Sequence, residues 1–228
     1  MKYVGIAAIG VLVLGLGTVN IQHHLNVPDE AKSSASIHKS HFWNLDVPFI
    51  HERTDIQLAD EIKGLDTVRL IDQELQQAKK GDKVVFHLAG YGGQLGAVYS
   101  MINNIQSTEA DVEMDVEGPV YSGHAYLALS GKSLKIGNNA FIMLHSPADG
   151  DNNALKDTDC SKFTGFDRGV SKVEHCERMK TADMLLFTRM LMSLSYLTVQ
   201  EVVDIYTGHS VYIDSSDINK RIKAGNHA

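Results

Sequence analysis

A hydroxyl, an imidazole and several glycine amides occur in a fixed order between residues 83 and 147. Residues 83–89 (KVVFHLA) read as a strand that runs into the turn Gly90-Tyr91-Gly92-Gly93. Residues 118–131 (GPVYSGHAYLALSG) present Ser122 between a turn and an apolar helix. Residues 138–147 (NNAFIMLHSP) read as a strand with His145 near its end. A serine nucleophile, a histidine base and backbone N–H groups are the parts of an acyl-transfer site.

Each residue also has a plainer reading. Ser122 precedes Gly123 and a helix-forming run, so it is either an exposed nucleophile or an N-cap. His145 follows the apolar run FIML and sits at a strand end, where sites of open α/β sheets gather; otherwise it is a structural histidine. Gly93 and Gly123 are the candidate oxyanion donors, and the glycine cluster alone is explained by a tight turn. The three segments together favour catalysis.

The surrounding pattern supplies elements to hold these groups. Residues 65–80 predict a helix, with Leu65, Val68, Ile71, Leu75 and Ala78 on one face. Gly81-Asp82 ends it and leads into the strand at Lys83. Residues 94–105 predict a helix starting directly at the glycine turn. Residues 111–117 alternate as a strand, and residues 133–136 and 140–144 read as a strand pair. Residues 149–175 are polar and loop-like, and residues 179–195 form a Met- and Leu-rich helix. Thr198 and Glu201 spell a capping box. A short strand at 211–213 and a helix at 215–224 close the chain. The alternation predicts an α/β domain with a mostly parallel sheet.

The 228 residues suit one domain with an appendage, and the formal charge of -7 gives no support to nucleic-acid binding. Residues 3–19 (YVGIAAIGVLVLGLGTV) carry no charge, directly after Met-Lys. Residues 1–19 are therefore expected to be a cleaved signal peptide or a membrane anchor, and 20–41 a polar linker. The domain is expected over 42–228. Export would permit Cys160 and Cys176 to pair, worth about 3 kcal/mol by chain entropy. Unpaired thiols, or a metal site with Asp159 and His175, are the alternatives, and no metal is assigned.

The glycine turn and the boxes Tyr121-Ser122-Gly123-His124-Ala125 and Met143-Leu144-His145-Ser146-Pro147 resemble those of ClpP-like serine peptidases in the ClpP/crotonase superfamily. The serine box is also similar to that of the SppA signal peptide peptidase branch. The resemblance spans residues 47–225. It implies a repeated ββα spiral with a projecting handle helix at 149–195, and a homo-oligomer. It implies a serine endopeptidase acting on peptide or protein substrates without a cofactor. Ser122 would be the nucleophile, His145 the base, and Gly93 and Gly123 the oxyanion donors.

The family's triad aspartate falls at Ser210, beside His209, and neither is a carboxylate. A weakened enzyme is one implication, and a catalytically silent scaffold of the same fold is another. An acyl-CoA enzyme of the crotonase branch is the third. The chain is expected to be exported or membrane-anchored, periplasmic or membrane-associated through its N-terminus. No ATPase partner is assigned.

Overall fold

The computed structural model describes residues 35–43, 50–62, 64–148, 154–162 and 171–224. The apolar segment 1–19 and residues 20–34 of the linker lie outside them, as do residues 47–49 and the side chain of Leu65. Among the described residues no helix is long and apolar enough to cross a membrane.

A seven-stranded sheet carries the fold, in the order β1-β2-β3-β4-β6-β7, with β5 also on β4. These are β1 (Ala35–Trp43), β2 (Ile50–Ile62), β3 (Lys83–Gly93), β4 (Asp111–Tyr121), β5 (Ser133–Ile136), β6 (Phe141–Leu144) and β7 (Val211–Asp214). β2 to β6 run parallel, and β1 and β7 are antiparallel edges. The α/β expectation with a mostly parallel sheet holds.

Two expectations are corrected. Residues 35–41 belong to an edge strand and not to a linker, with Ala35 opposite Leu58 and Phe42 opposite His51. Among the side chains described for that strand, Ala35 and Ile37 turn partly buried apolar groups to the core, and the polar residues between them make its sequence look polar. The sheet thus begins by Ala35, ahead of Phe42. Secondly, β5 and β6 do not pair with each other. Both lie along β4, β5 against residues 113–116 and β6 against Val120 and Tyr121. That split brings the end of β6 beside the end of β4.

Helices cover one face. In α1 (Gly64–Gln77), Val68, Ile71 and Leu75 are buried at helical spacing. In α2 (Leu95–Ser107), Ala97, Val98, Met101, Ile102 and Ile105 are buried. The six-residue α3 (Gly123–Ala128) is buried throughout. These face Ile56 and Leu58 of β2, Val84, Phe86 and Leu88 of β3, and Val112, Met114 and Val116 of β4 in one core. The alternate residues of these strands point the other way.

The loop expected up to residue 175 gives way earlier to α4 (Lys172–Ser193), whose N-cap Ser171 accepts the Glu174 N–H. Its C-terminal part buries Phe187, Met190 and Leu191, whereas Val173, Met179, Leu185 and Met192 are exposed. Cys160 and Cys176 are disulfide-bonded, with Cα atoms 5.6 Å apart. The bridge ties the segment after β6 to α4, and it leaves neither sulfur as a thiolate ligand for a metal. The expected capping box opens α5 (Val199–Tyr206), and Asp214 caps α6 (Ser215–Lys223).

At the opposite end of the sheet, Asp82 joins three strands. Its carboxylate accepts the Lys79 and Glu52 N–H groups at 2.8 and 2.9 Å, and its carbonyl accepts the Asp111 N–H at 2.9 Å. Burial disfavours its charge, but the two N–H groups and His51 outweigh it and hold its pKa below the ordinary carboxylate range. A lowered folded-state pKa means stability that is present above the unfolded value of about 3.9 and lost as pH falls through the folded value. Asp82→Ala is expected to lower the unfolding free energy at pH 7 by about 1–3 kcal/mol. Urea titrations should show the deficit shrinking in acid, and Asp82→Asn, which keeps one acceptor, losing less.

Candidate active site

Ser122 occupies the strand-to-helix turn after β4 with φ +51° and ψ −120°, a backbone conformation that non-glycine residues rarely adopt. The surroundings fix it there. Its N–H donates to the Met143 carbonyl at 2.8 Å, and its own carbonyl accepts the Tyr126 N–H at 3.0 Å. Ser122 thus fills the N-cap position of α3 without using its side chain for it, and the hydroxyl is left for another use.

The glycine turn approaches this serine closely. Gly92 has φ +114°, and a Cβ there would lie 2.7 Å from Ser122 Cβ and 2.9 Å from Gly123 N. A Cβ on Gly123 would lie 3.0 Å from Gly93 N. Backbone contacts backbone here, which only glycine permits. Tyr91 does not intrude, because it projects outward and stacks on Tyr121 with ring centroids 5.5 Å apart.

Ser122, Gly123, Gly93 and His145 line one cavity of about 320 Å³. Its wall also includes Leu95 and Val98 of α2, Tyr126 of α3, Glu61 after the bulge of β2, and Pro147. The structure brings all four expected catalytic residues together. Ser122 and His145 make no direct hydrogen bond, which is a common state of sites without bound substrate.

His145 follows β6 and is held at both its ring and its backbone. Nδ1 lies 2.7 Å from the Ser146 carbonyl. A carbonyl only accepts, so Nδ1 carries the proton and Nε2 keeps its lone pair, as a general base requires. The His145 carbonyl accepts the hydroxyl of buried Tyr126. Burial raises the Tyr126 pKa, so it stays a neutral donor.

The expected third position is only partly realised. β6 and β7 pair with Leu144 opposite Val211, and one more step of that register sets Ser210 opposite His145. Ser210 is exposed and makes no hydrogen bond to the imidazole. His209 turns instead to the Thr207 hydroxyl at 3.1 Å. Neither orients His145, because serine is too short and uncharged and the ring of His209 is engaged elsewhere.

The SppA branch uses a lysine as base, and the three lysines that flank the serine and glycine segments are engaged elsewhere. Lys132 is bonded to the Thr108 and Ala110 carbonyls, and Lys83 and Lys135 both pair with Glu113. The group of His87, Asp115 and Glu117, whose ligand atoms lie close enough to hold a cation, sits on the sheet face away from the helices. His87 is bonded there to Asp55 and Glu117, at 3.0 Å each. It takes no part in the cavity.

One residue of this region escaped the sequence reading. His124 carries no local signal beyond its place in the serine box, yet it is fully buried, and its Nδ1 accepts the Gly92 N–H at 3.0 Å. The available signal was Gly90, where a Cβ would fall 2.8 Å from the imidazole.

No curated protein matches the chain. The sequence model of the Clp protease family, however, matches residues 39–168, more than half of the chain and the part that holds Ser122, His145, Gly93 and Gly123. With that match laid over a parallel sheet whose strand ends gather a serine, a histidine and two glycine amides, the chain belongs to the Clp protease family.

Proposed function

We propose that this chain is a serine endopeptidase that hydrolyses peptide bonds with Ser122 and His145. Membership of the family supports a peptidase of the ClpP type. The observation that carries the finer reading is Ser122 itself. It is held in a rare backbone conformation at a helix start, its hydroxyl is unused as a cap, and it faces a cavity shared with His145 and two glycine amides. Strain of this kind persists only where the surroundings enforce it.

In the reaction, Ser122 Oγ attacks the peptide carbonyl carbon and its proton passes to His145 Nε2. The Gly93 and Gly123 N–H groups hold the developing oxyanion. Collapse breaks the C–N bond, and the leaving amine takes the proton from Nε2. Water then attacks the ester by the same route in reverse and frees Ser122. Nδ1, bonded to the Ser146 carbonyl, holds the ring's tautomer. No cofactor enters these steps.

Proteins of this family act as substrate-degrading oligomers, and the exposed Val173, Met179, Leu185 and Met192 of α4 support a homo-oligomer joined through this handle. The uncharged stretch 3–19 and the disulfide support an exported or membrane-anchored chain.

Among the described residues no carboxylate bonds to His145, which favours a second reading, a silent scaffold of the same fold. Labelling with a fluorophosphonate probe separates the two. Wild type is expected to be labelled and Ser122→Ala not; equal labelling of both, or none of either, ends the peptidase reading. Since register sets residue 210 opposite His145, Ser210→Asp should raise kcat/KM on a fluorogenic peptide on the order of tenfold or more. An unchanged rate would mean that position 210 cannot reach the imidazole.

A further inference from the structure

We propose that His124 is a positioning residue of the oxyanion turn, its buried Nδ1 holding the Gly92 N–H so that the following amide, that of Gly93, is fixed beside Gly123. This rests on the peptidase reading above, and it assigns a role to a second histidine that does not touch the reacting atoms.

The geometry is specific. His124 is fully buried two residues after the nucleophile, on the first turn of α3. The Gly92 N–H donates to its Nδ1 at 3.0 Å across the gap between α3 and the end of β3. An N–H can donate only to an unprotonated ring nitrogen, so the proton lies on Nε2. Nε2 is buried without a well-formed hydrogen bond, and the Leu58 carbonyl is its backbone neighbour. A buried polar group left in that state carries a cost, so packing alone does not explain a histidine here.

The turn is built around this ring. Gly90 gives it room, since a Cβ there would meet Cε1 and Nε2 at 2.8 and 2.9 Å. At Gly92, φ of +114° folds the chain back toward Ser122. A turn with three glycines has many accessible conformations. The register with β2 pairs Gly92 with Glu61 and Gly93 with Ile62, and the bond to His124 adds a second hold on the Gly92 amide, directly before the peptide that carries the Gly93 N–H. Oxyanion donors act through preorganisation, and a donor that must reorient during reaction loses much of its value. Burial pushes the His124 pKa down to about 4, against the opposing pull of the Leu58 carbonyl and the Asp60 charge. The ring thus remains a neutral acceptor at neutral pH.

Three variants of the full chain test the assignment. Asn places an amide oxygen near the Nδ1 position and can accept the Gly92 N–H. Gln places its amide near Nε2 instead, and Leu has no acceptor. On a fluorogenic peptide, His124→Leu and His124→Gln are expected to lose about ten- to a hundredfold in kcat with KM little changed. His124→Asn should keep most of the rate. Equal kcat values for Asn, Gln and Leu, in proteins with native circular dichroism, overturn the proposal. If Leu fails to fold, the Asn–Gln comparison decides.

A second readout is independent of turnover. The imidazole ¹⁵N shifts of His124 should report an unprotonated Nδ1 at pH 7. The Gly92 amide should exchange slowly in wild type and His124→Asn, and quickly in His124→Gln. A protonated Nδ1, or Gly92 exchange indifferent to these changes, overturns the proposal even if Ser122 proves to be no nucleophile. Slow Gly92 exchange that responds as stated, with no Ser122-dependent turnover, would sink the peptidase reading alone.

Discussion

Two backbone turns press together at the C-terminal ends of β3 and β4, and at their contact there is no room for a Cβ. Gly92 lies against Ser122, Gly123 against the Gly93 amide, and Gly90 against His124. Close approach of main chain to main chain is what puts a hydroxyl and two amides around one small space. The rest of the fold maintains that approach. β3 and β4 are adjacent parallel strands, with Leu88 opposite Val116 and then a shift that sets Gly90 opposite Val120. That irregularity re-aims both strand ends, as bulges beside functional sites do. On the other side β6 reaches only Val120 and Tyr121, just far enough to deliver His145.

Much of this was legible because the signals are local. A strand running into glycines, a serine before an apolar run and a histidine ending an apolar strand each need only a short window of sequence. The amphipathic faces of α1 and α2 and the Thr198–Glu201 box were equally plain, since their periodicity and spacing are fixed by helix geometry. What escaped depends on partners distant in the chain. β1 looks polar because an edge strand needs only one apolar row, and its place is set by pairing with β2. β5 and β6 looked like partners because both are short and apolar, yet β4 is long enough to serve both. His124 looked like a helical residue because nothing in Ser-Gly-His-Ala reveals that Gly92, 32 residues earlier, donates to it.

The two faces of the sheet divide the electrostatics. Toward the helices it is apolar. On the opposite face Arg53 pairs with Asp55, His87 bridges Asp55 and Glu117, and Glu113 takes Lys83 and Lys135. Burial works against the charge of His87, but its hydrogen bonds to Asp55 and Glu117 prevail and raise its pKa. These pairs are partly buried, with Glu113 itself buried, and they satisfy one another's polar groups on the face turned away from the apolar core.

The polar contacts that shape the cavity follow the opposite rule, for each of them has a backbone partner. His145 Nδ1 uses the Ser146 carbonyl, Tyr126 uses the His145 carbonyl, and His124 uses the Gly92 amide. Neutral contacts avoid the desolvation cost of a buried ion pair, and backbone partners cannot swing away on a rotamer. They also stabilise an imidazolium less than a carboxylate does. On the peptidase reading, a site assembled this way has its geometry fixed before substrate arrives, while none of the described residues gives the His145 imidazole a carboxylate partner. On the peptidase reading proposed above, proton transfer to His145, and not formation of the oxyanion pocket, is therefore the step that the described contacts support least.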